Sequence, residues 1–276
     1  MTGELTVEEH YGSNPLRDRV NEALDLAGIT ADRMSWSDLA PVDQFHTRGL
    51  IATKELASAL AIRAGASLLD VGSGIGGSAR YLAATFGCKV TGIDLTPSFV
   101  DVATMLSERT NLAEETRFLQ ADALALPFDD VTFDYAWTQH VAMNIENRPQ
   151  MYSEIYRVLK PSGKLGIHDI IAGNDEPLHF PVPWARIPEI NFLLNEAEMR
   201  KELSRAGFQE VSWVDATDST VAWFDAQRAS VPSSGGAVPF GINILLGSEF
   251  QTMVANLERN FRERRVRIVM AVLTRD

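Results

Sequence analysis

The sequence predicts an α/β chain on a doubly wound, mostly parallel seven-stranded sheet, with a helical N-terminal cap at 1–64, a core at 65–276 and a lid insertion at 172–195. Three observations carry this reading. Short apolar strands alternate with amphipathic helical segments from Ala66 to about Ile171, the pattern of βαβ units on a parallel sheet. One of those strands, Leu68-Leu69-Asp70-Val71, runs straight into Gly72-Ser73-Gly74-Ile75-Gly76-Gly77, where glycines let the backbone turn tightly and let a ligand press against it. Beyond residue 171 the character changes: Pro177, Pro181, Pro183 and Pro188 break a stretch that also holds His179, Phe180, Trp184 and Phe192.

Strand one covers Ser67 to Val71 and strand two Lys89 to Ile93, while strand three lies near Arg117 to Leu119. Strand four spans Phe133 to Trp137, and strand five Lys164 to Ile170 after the turn Lys160-Pro161-Ser162-Gly163. Pro97 opens a helix with Phe99, Val102, Met105 and Leu106 on one face, and a later helix carries Met151, Ile155, Val158 and Leu159. After the proline-rich stretch, Glu196 to Ala206 reads as a helix and Glu210 to Asp215 as a strand. Ser248 to Arg262 is a helix with Phe250, Met253, Val254, Leu257 and Phe261 at helical spacing, and Val266 to Leu273 is a closing apolar strand. Ser233-Ser234-Gly235-Gly236 reads as a loop tip. The N-terminal sixty residues lie outside the repeat and read as helices over the ligand-binding edge of the sheet.

A chain of 276 residues can bury a full core. The net charge of -12 and pI near 4.9 argue against a grip on nucleic acid or an anionic membrane, since both need clustered Lys and Arg. A small or uncharged substrate is the better default, handled by a monomer or a homodimer. The first thirty residues lack the apolar core of a signal peptide, and no apolar run approaches the roughly 18 residues of a membrane span. A single cysteine, Cys88, cannot form an internal disulfide, so the expected location is the cytoplasm. No histidine spacing matches a zinc motif, and no metal is expected.

Gly72, Gly74 and Gly77 satisfy the dinucleotide pattern G-x-G-x-x-G, whose glycines serve a pyrophosphate. Asp70, two residues before the first of them, would repel that pyrophosphate but suits the ammonium of S-adenosylmethionine, which carries no phosphate. Asp94 closes strand two 24 residues further on, near the offset of about 20 at which an acid reaches ribose hydroxyls; its alternative is a helix cap before Thr96-Pro97. Asp122, in Gln120-Ala121-Asp122-Ala123, can accept the adenine amino hydrogens, or else is a solvated loop acid. The acid/base candidates are His46, His140, His168 and His179. His140 leaves strand four at the ligand edge and His168 lies inside strand five; the alternative for each is a packed, hydrogen-bonded ring.

Together, Leu69 to Gly77, Gly92 to Leu95, Asp122-Ala123, Leu126 to Asp134 and Arg157 to Gly163 resemble the class I S-adenosylmethionine-dependent methyltransferases over roughly residues 45 to 215. The resemblance is to the small-molecule branch that includes sarcosine/dimethylglycine, phosphoethanolamine and tocopherol methyltransferases, in which Gly74 to Leu82 has close counterparts; Ser73 stands where many members have cysteine. It implies a Rossmann-like core in which Asp70 and Gly72, with Ser73 and Gly74 of the same loop, hold the methionine portion of the cofactor. Asp94 and Leu95 would serve the ribose and adenine, Asp122 and Ala123 the adenine edge, and Thr138 would lie beneath the sulfonium. Arg48 is the candidate cation for the cofactor carboxylate, or else a surface arginine of the cap.

The implied reaction is methyl transfer from S-adenosylmethionine to a small-molecule acceptor, an amine first, with C- or O-methylation of a natural-product-like acceptor as the alternative. His140 is the first choice of base, which would place a pH limb near an unperturbed imidazole pKa of about 6.5. Trp36, Phe180 and Trp184 are candidates for the acceptor pocket. A nicotinamide-dependent oxidoreductase shares the glycine loop but is disfavoured by Asp70 and Asp122; a non-catalytic S-adenosylmethionine-binding domain is the third reading.

Overall fold

In the computed structural model, which describes residues 15–30, 34–230, 241, 243–246 and 249–276, seven strands form one sheet. They are β1 (Ser67–Val71), β2 (Lys89–Asp94), β3 (Thr116–Gln120), β4 (Phe133–Gln139), β5 (Leu159–Ala172), β6 (Phe208–Asp215) and β7 (Val266–Arg275). The order is β3-β2-β1-β4-β5-β7-β6, with β7 antiparallel to both its neighbours and every other pairing parallel. The direction of winding reverses between β1 and β4, so a crevice opens at the carboxyl ends of these strands.

The helices are α1 (Pro15–Leu26), α2 (Ala40–Asp43), α3 (Gly49–Leu60), α4 (Gly77–Phe86), α5 (Pro97–Arg109), α6 (Arg148–Val158), α7 (Glu196–Arg205), α8 (Thr217–Ser230), α9 (Asn243–Leu246) and α10 (Phe250–Arg262). Strand β1 reads as a nearly unbroken apolar run because helices cover both its faces. Leu68 packs with Leu56, Leu60 and Leu82 of α3 and α4, whereas Leu69, one residue on, packs with Ile155 and Val158 of α6.

Several boundaries differ from the sequence reading, each for a local reason. The turn at Lys160–Gly163 lies inside β5 as a bulge: Phe133 pairs with Leu159 and Tyr135 with Lys164, and Ser162 takes φ 61. Strand β4 runs on to Gln139. Helix α8 had no counterpart in the sequence reading, because Val221-Ala222-Trp223-Phe224 forms an apolar block rather than a periodic face. Ser248, the loop tip Ser233-Ser234-Gly235-Gly236 and residues 1–14 of the cap lie outside the described residues.

Residues 172–195 carry only the 3-10 turn Pro188–Ile190 and a bridge between Val182 and Ala185. Side chains tie this stretch to α10. His179 N donates to Asn260 Oδ1 (2.9 Å), Asn260 Nδ2 donates to His179 O (3.0 Å), and His179 Nε2 meets Glu263 Oε2 at 2.8 Å. His179, an acid/base candidate by type, is therefore an anchor of this stretch. No helix among the described residues is long and apolar enough to cross a membrane.

An ion pair fastens the segment before α3 to the sheet. Arg80 of α4 donates to Asp43 Oδ2 at 2.9 Å, with side chains 0% and 2% exposed, and also to Ile75 O (2.7 Å) and Ala103 O (3.2 Å). The approach is so close that a Cβ on Gly77 would lie 2.2 Å from Asp43 O. Replacing Arg80 by Met leaves a buried carboxylate without its cation, so Arg80→Met should lower unfolding stability by about 3–5 kcal/mol in urea titrations. The double variant with Asp43→Leu should lose less than the two single losses combined. An unchanged midpoint for Arg80→Met would remove the pair from this role.

Candidate active site

A cleft of about 350 Å³ occupies the crevice at the ends of β1, β2 and β4. Its floor is the glycine loop. Gly72 sits at φ 72, and a Cβ there would come within 2.4 Å of Val141 Cγ2, so only glycine lets the loops after β1 and β4 meet. Gly72 N and Ser73 N both donate to Ile93 O at 2.8 Å, and Gly74 N donates to Asp94 Oδ2 at 2.9 Å. Asp94 Oδ1 accepts from Thr96 N at 2.9 Å, so this carboxylate braces the glycine loop and the start of α5 together, with lone pairs left for the cleft it lines.

Asp70 is the outlier in charge. It is 3% exposed, it lines the cleft, and its Oδ2 has no hydrogen-bond partner. Burial first, and the charge of Asp94 second, push its pKa up from 3.8 to about 7. An orphaned buried carboxylate beside a cradle with no side chains fits a ligand that brings a cation. Along the same wall are Ser73, Leu95, Ala123 and Asp122. Leu95 is 67% exposed and offers an apolar face, and Asp122 Oδ1 accepts from Leu124 N at 2.9 Å.

Three residues proposed from the sequence do not reach this cleft. Arg48 turns its guanidinium onto Glu55, with Nη1 to Oε2 at 2.8 Å and Nη2 to Oε1 at 2.5 Å, and does not line the cavity. Thr138 is fully buried with Oγ1 unpartnered; strand alternation places its neighbour Gln139 in the cleft instead. His168 is wholly buried inside β5 and does not line this cleft.

Gln139 is the residue that sequence reasoning missed. Its Oε1 accepts from Ser78 Oγ (2.7 Å) and Trp137 Nε1 (2.9 Å), which fixes the amide orientation. Its Nε2 is left buried without an acceptor. The signal available in the sequence was parity with Trp137.

Three imidazoles meet where β4 ends. Ring centroids of His46, His140 and His168 lie 5.9 Å (46–140), 5.8 Å (46–168) and 5.3 Å (140–168) apart. His140 takes the left-handed φ of 55, its N–H donates to His168 O at 2.9 Å, and its Nε2 lies 3.1 Å from Thr47 Oγ1. Burial first, then the neighbouring His46, holds its pKa well below 6.5; burial lowers His46 to about 4. His168 is likewise lowered by burial and by both other rings, and neither of its ring nitrogens has a partner.

On the far side of His140 lies a second cavity of about 400 Å³, walled by Trp184, Trp223, Phe224, Phe250, Val254 and Leu257. His46 and His140 line both cavities. Of the aromatics proposed for an acceptor pocket, Trp184 is here, whereas Phe180 is not, and Trp36 packs edge-on against Tyr81 at 5.4 Å. Helices α8 and α10 supply Trp223, Phe224, Phe250, Val254 and Leu257.

The fold and cleft place a carboxylate-lined site at the strand ends of a doubly wound sheet, and comparison with known proteins shows what the chain resembles. Residues 69–167 match the family model described as a methyltransferase domain. Phosphoethanolamine N-methyltransferase 3 of Arabidopsis thaliana is 33% identical over 173 residues, covering 62% of this chain and 34% of that protein. Erythromycin 3''-O-methyltransferase of Saccharopolyspora erythraea is 34% identical over 191 residues, covering 63% and 62%. The chain thus spans about a third to three fifths of these relatives' length. The solved structure of geranyl diphosphate C-methyltransferase from Streptomyces coelicolor A3(2) superposes with a TM-score of 0.66 at 18% identity, covering 82% of this chain and 79% of that one. Residues 69–167 are thus similar to a methyltransferase domain, and the chain shares the fold of that solved structure.

The raised pKa of Asp70 has a consequence for stability. Below about pH 4 the group is neutral in both folded and unfolded chains; from there up to about 7 it ionises only on unfolding, so the folded state loses stability across that interval. Asp70→Asn should therefore stabilise the ligand-free protein at pH 8 by about 2–4 kcal/mol, with the gain shrinking as pH falls towards 4. Urea midpoints of the two proteins across pH check this; a variant that gains nothing at pH 8 contradicts it.

Proposed function

We propose that the protein transfers the methyl group of S-adenosyl-L-methionine to a small-molecule acceptor and releases S-adenosyl-L-homocysteine. The observation that carries this reading is His140, which stands between the carboxylate-lined cleft and the apolar chamber. The bound cofactor supplies a methyl on a sulfonium, already activated for in-line displacement. What the chain must do is hold, align and exclude water.

In this reading Asp70 takes the cofactor ammonium and Asp94 the ribose hydroxyls, while Leu95, Ala123 and Asp122 border the adenine. Gln139 Nε2, the free buried donor, takes the cofactor carboxylate in place of Arg48. His140 stays neutral at working pH and can take a proton from an acceptor N–H or O–H, with Thr47 Oγ1 as the adjacent relay. His168 supports the His140 backbone from behind, as a positioning residue. The names of the relatives place the methyl on nitrogen, oxygen or carbon, so the acceptor does not carry over from them. An amine is the first class and a natural-product-like C- or O-acceptor the second. A buried, free Cys88 suits the reducing cytoplasm, where we place the enzyme.

Calorimetric titration should show S-adenosylhomocysteine binding with no response to NAD or NADP. Asp94→Ala should weaken that binding by about 1.5–3 kcal/mol, the range for a hydrogen bond to a charged group, while the protein stays folded. Tight NAD binding together with silence towards S-adenosylhomocysteine would overturn the reading.

His140→Ala should lower kcat by roughly 10²–10⁴ and leave S-adenosylhomocysteine affinity nearly intact. Because the imidazole is held well below 6.5, the wild-type rate should stay level as pH drops through 6.5 and decline only on the acid side. A wild-type limb centred at 6.5, or a variant with an undiminished rate, would take His140 out of the proton transfer.

A further inference from the structure

We infer that the acceptor taken by the chamber is a mainly apolar or aromatic molecule bearing neither phosphate nor carboxylate. This rests on the methyl-transfer reading of the site. Among the described residues lining the chamber none is charged, and the polar groups that face it are His46, Thr47, His140 and Asn144. The remaining wall is aromatic and aliphatic, and α10 presents Phe250, Val254 and Leu257 on one face at the spacing i, i+4, i+7.

Charged side chains on the flanking elements are engaged elsewhere. Arg48, next to Thr47, forks onto Glu55. Arg148, 2% exposed, donates to Ile145 O (3.0 Å) and Phe192 O (2.8 Å), so it serves the fold rather than a ligand. Arg186, two residues past Trp184, pairs with Glu249, and Asp225, next to Phe224, pairs with Arg262. Asp169 accepts from Val141 N (3.0 Å) and Ala142 N (3.4 Å). The sequence from Ala229 to Ser248 contains no charged residue at all.

A phosphate or carboxylate entering this chamber would shed water and meet no cation. A neutral arene with a hydroxyl or amine N–H meets what is there. Its apolar body faces Trp184, Trp223 and Phe224, and its one polar hydrogen faces an unprotonated imidazole. The volume of about 400 Å³ falls in the range of small-molecule sites, about 300–1,000 Å³.

The test is calorimetric titration of the full chain, saturated with S-adenosylhomocysteine, by 2-naphthol and by 2-naphthyl phosphate. We expect the phosphate to bind at least about tenfold more weakly, because its charge is desolvated unpaired. Val254→Lys, and Asn144→Lys at the exposed rim, should reverse that preference; the second guards against a packing defect in the first. Equal or tighter binding of the phosphate by wild type, no binding of 2-naphthol, or an unchanged preference in both lysine variants overturns the inference. The S-adenosylhomocysteine titration on the same sample reports separately on the cofactor: its absence sinks the methyl-transfer reading, whereas its presence with a phosphate-preferring chamber sinks the acceptor class alone.

Discussion

The buried contact between Asp43 and Arg80 is the joint on which this site is assembled. The chain from Asp43 to Gly49 contains no long element of its own, yet it must place Phe45, His46 and Thr47 against the end of β4. Arg80 holds one end of that segment, drawing on the carbonyls of Ile75 and Ala103 as well as on Asp43. The other end is set by the start of α3, where His46 Nε2 donates to Gly49 O (3.1 Å) and Thr53 Oγ1 donates to Gln44 Oε1 (2.6 Å). A buried ion pair seldom adds stability over a well-packed apolar substitute, so the worth of this one lies in placement. Without it, the α3 end and the Thr47–His140 contact alone would hold this segment against β4.

The cleft shows the opposite economy, in which stability is given up. Asp70 and Asp94 lie at the ends of neighbouring strands; burial first and the charge of Asp94 second push the pKa of Asp70 up, and burial raises that of Asp94. The fold satisfies Asp94 with two backbone N–H groups but leaves Asp70 Oδ2 with none. Local consistency fails here, as it does at Gln139 Nε2 of the same cleft, and such failures collect where ligands bind. A cation arriving at Asp70 restores what the protein withholds.

How much of this was legible follows from which forces act locally. The strand cores were readable because β1, β2, β4 and β5 are covered on both faces and so read as apolar runs, and Asp70, Gly72 and Asp94 were readable because strand ends and glycine turns fix their positions in the chain. Arg48 was misplaced because its partner, Glu55, lies seven residues on, two turns along one face of α3, and competes for the guanidinium. Thr138 and Gln139 were exchanged by the choice of strand end: once β4 extends to Gln139, alternation puts Gln139 beside Trp137 and Thr138 on the other face. The chamber was the least legible part. Its wall comes from α8, whose apolar block has no helical period, and from α10, more than a hundred residues beyond His140. Trp36 illustrates the same limit, since an aromatic in a cap has no sequence mark that distinguishes stacking on Tyr81 from facing a ligand.

The three imidazoles bring these strands of argument to one point. His168 is buried and His46 and His140 are half-buried; His46 lowers the pKa of His140 and both lower that of His168, so the cluster as a whole resists taking up more than one proton. A non-glycine residue at φ 55 is strained by its Cβ, and the strain persists only where surrounding bonds determine the backbone. Here they do. His140 N donates to His168 O, and Asp169, the next residue on β5, accepts from Val141 N and Ala142 N, so two consecutive residues of β5 hold the exit of β4 in place. Burial raises Asp169 to about 6, which still leaves the carboxylate ionised at neutral pH to receive those bonds. The turn that carries His140 between cleft and chamber is thus held from β5, and desolvation there, with His46 beside it, keeps the ring neutral.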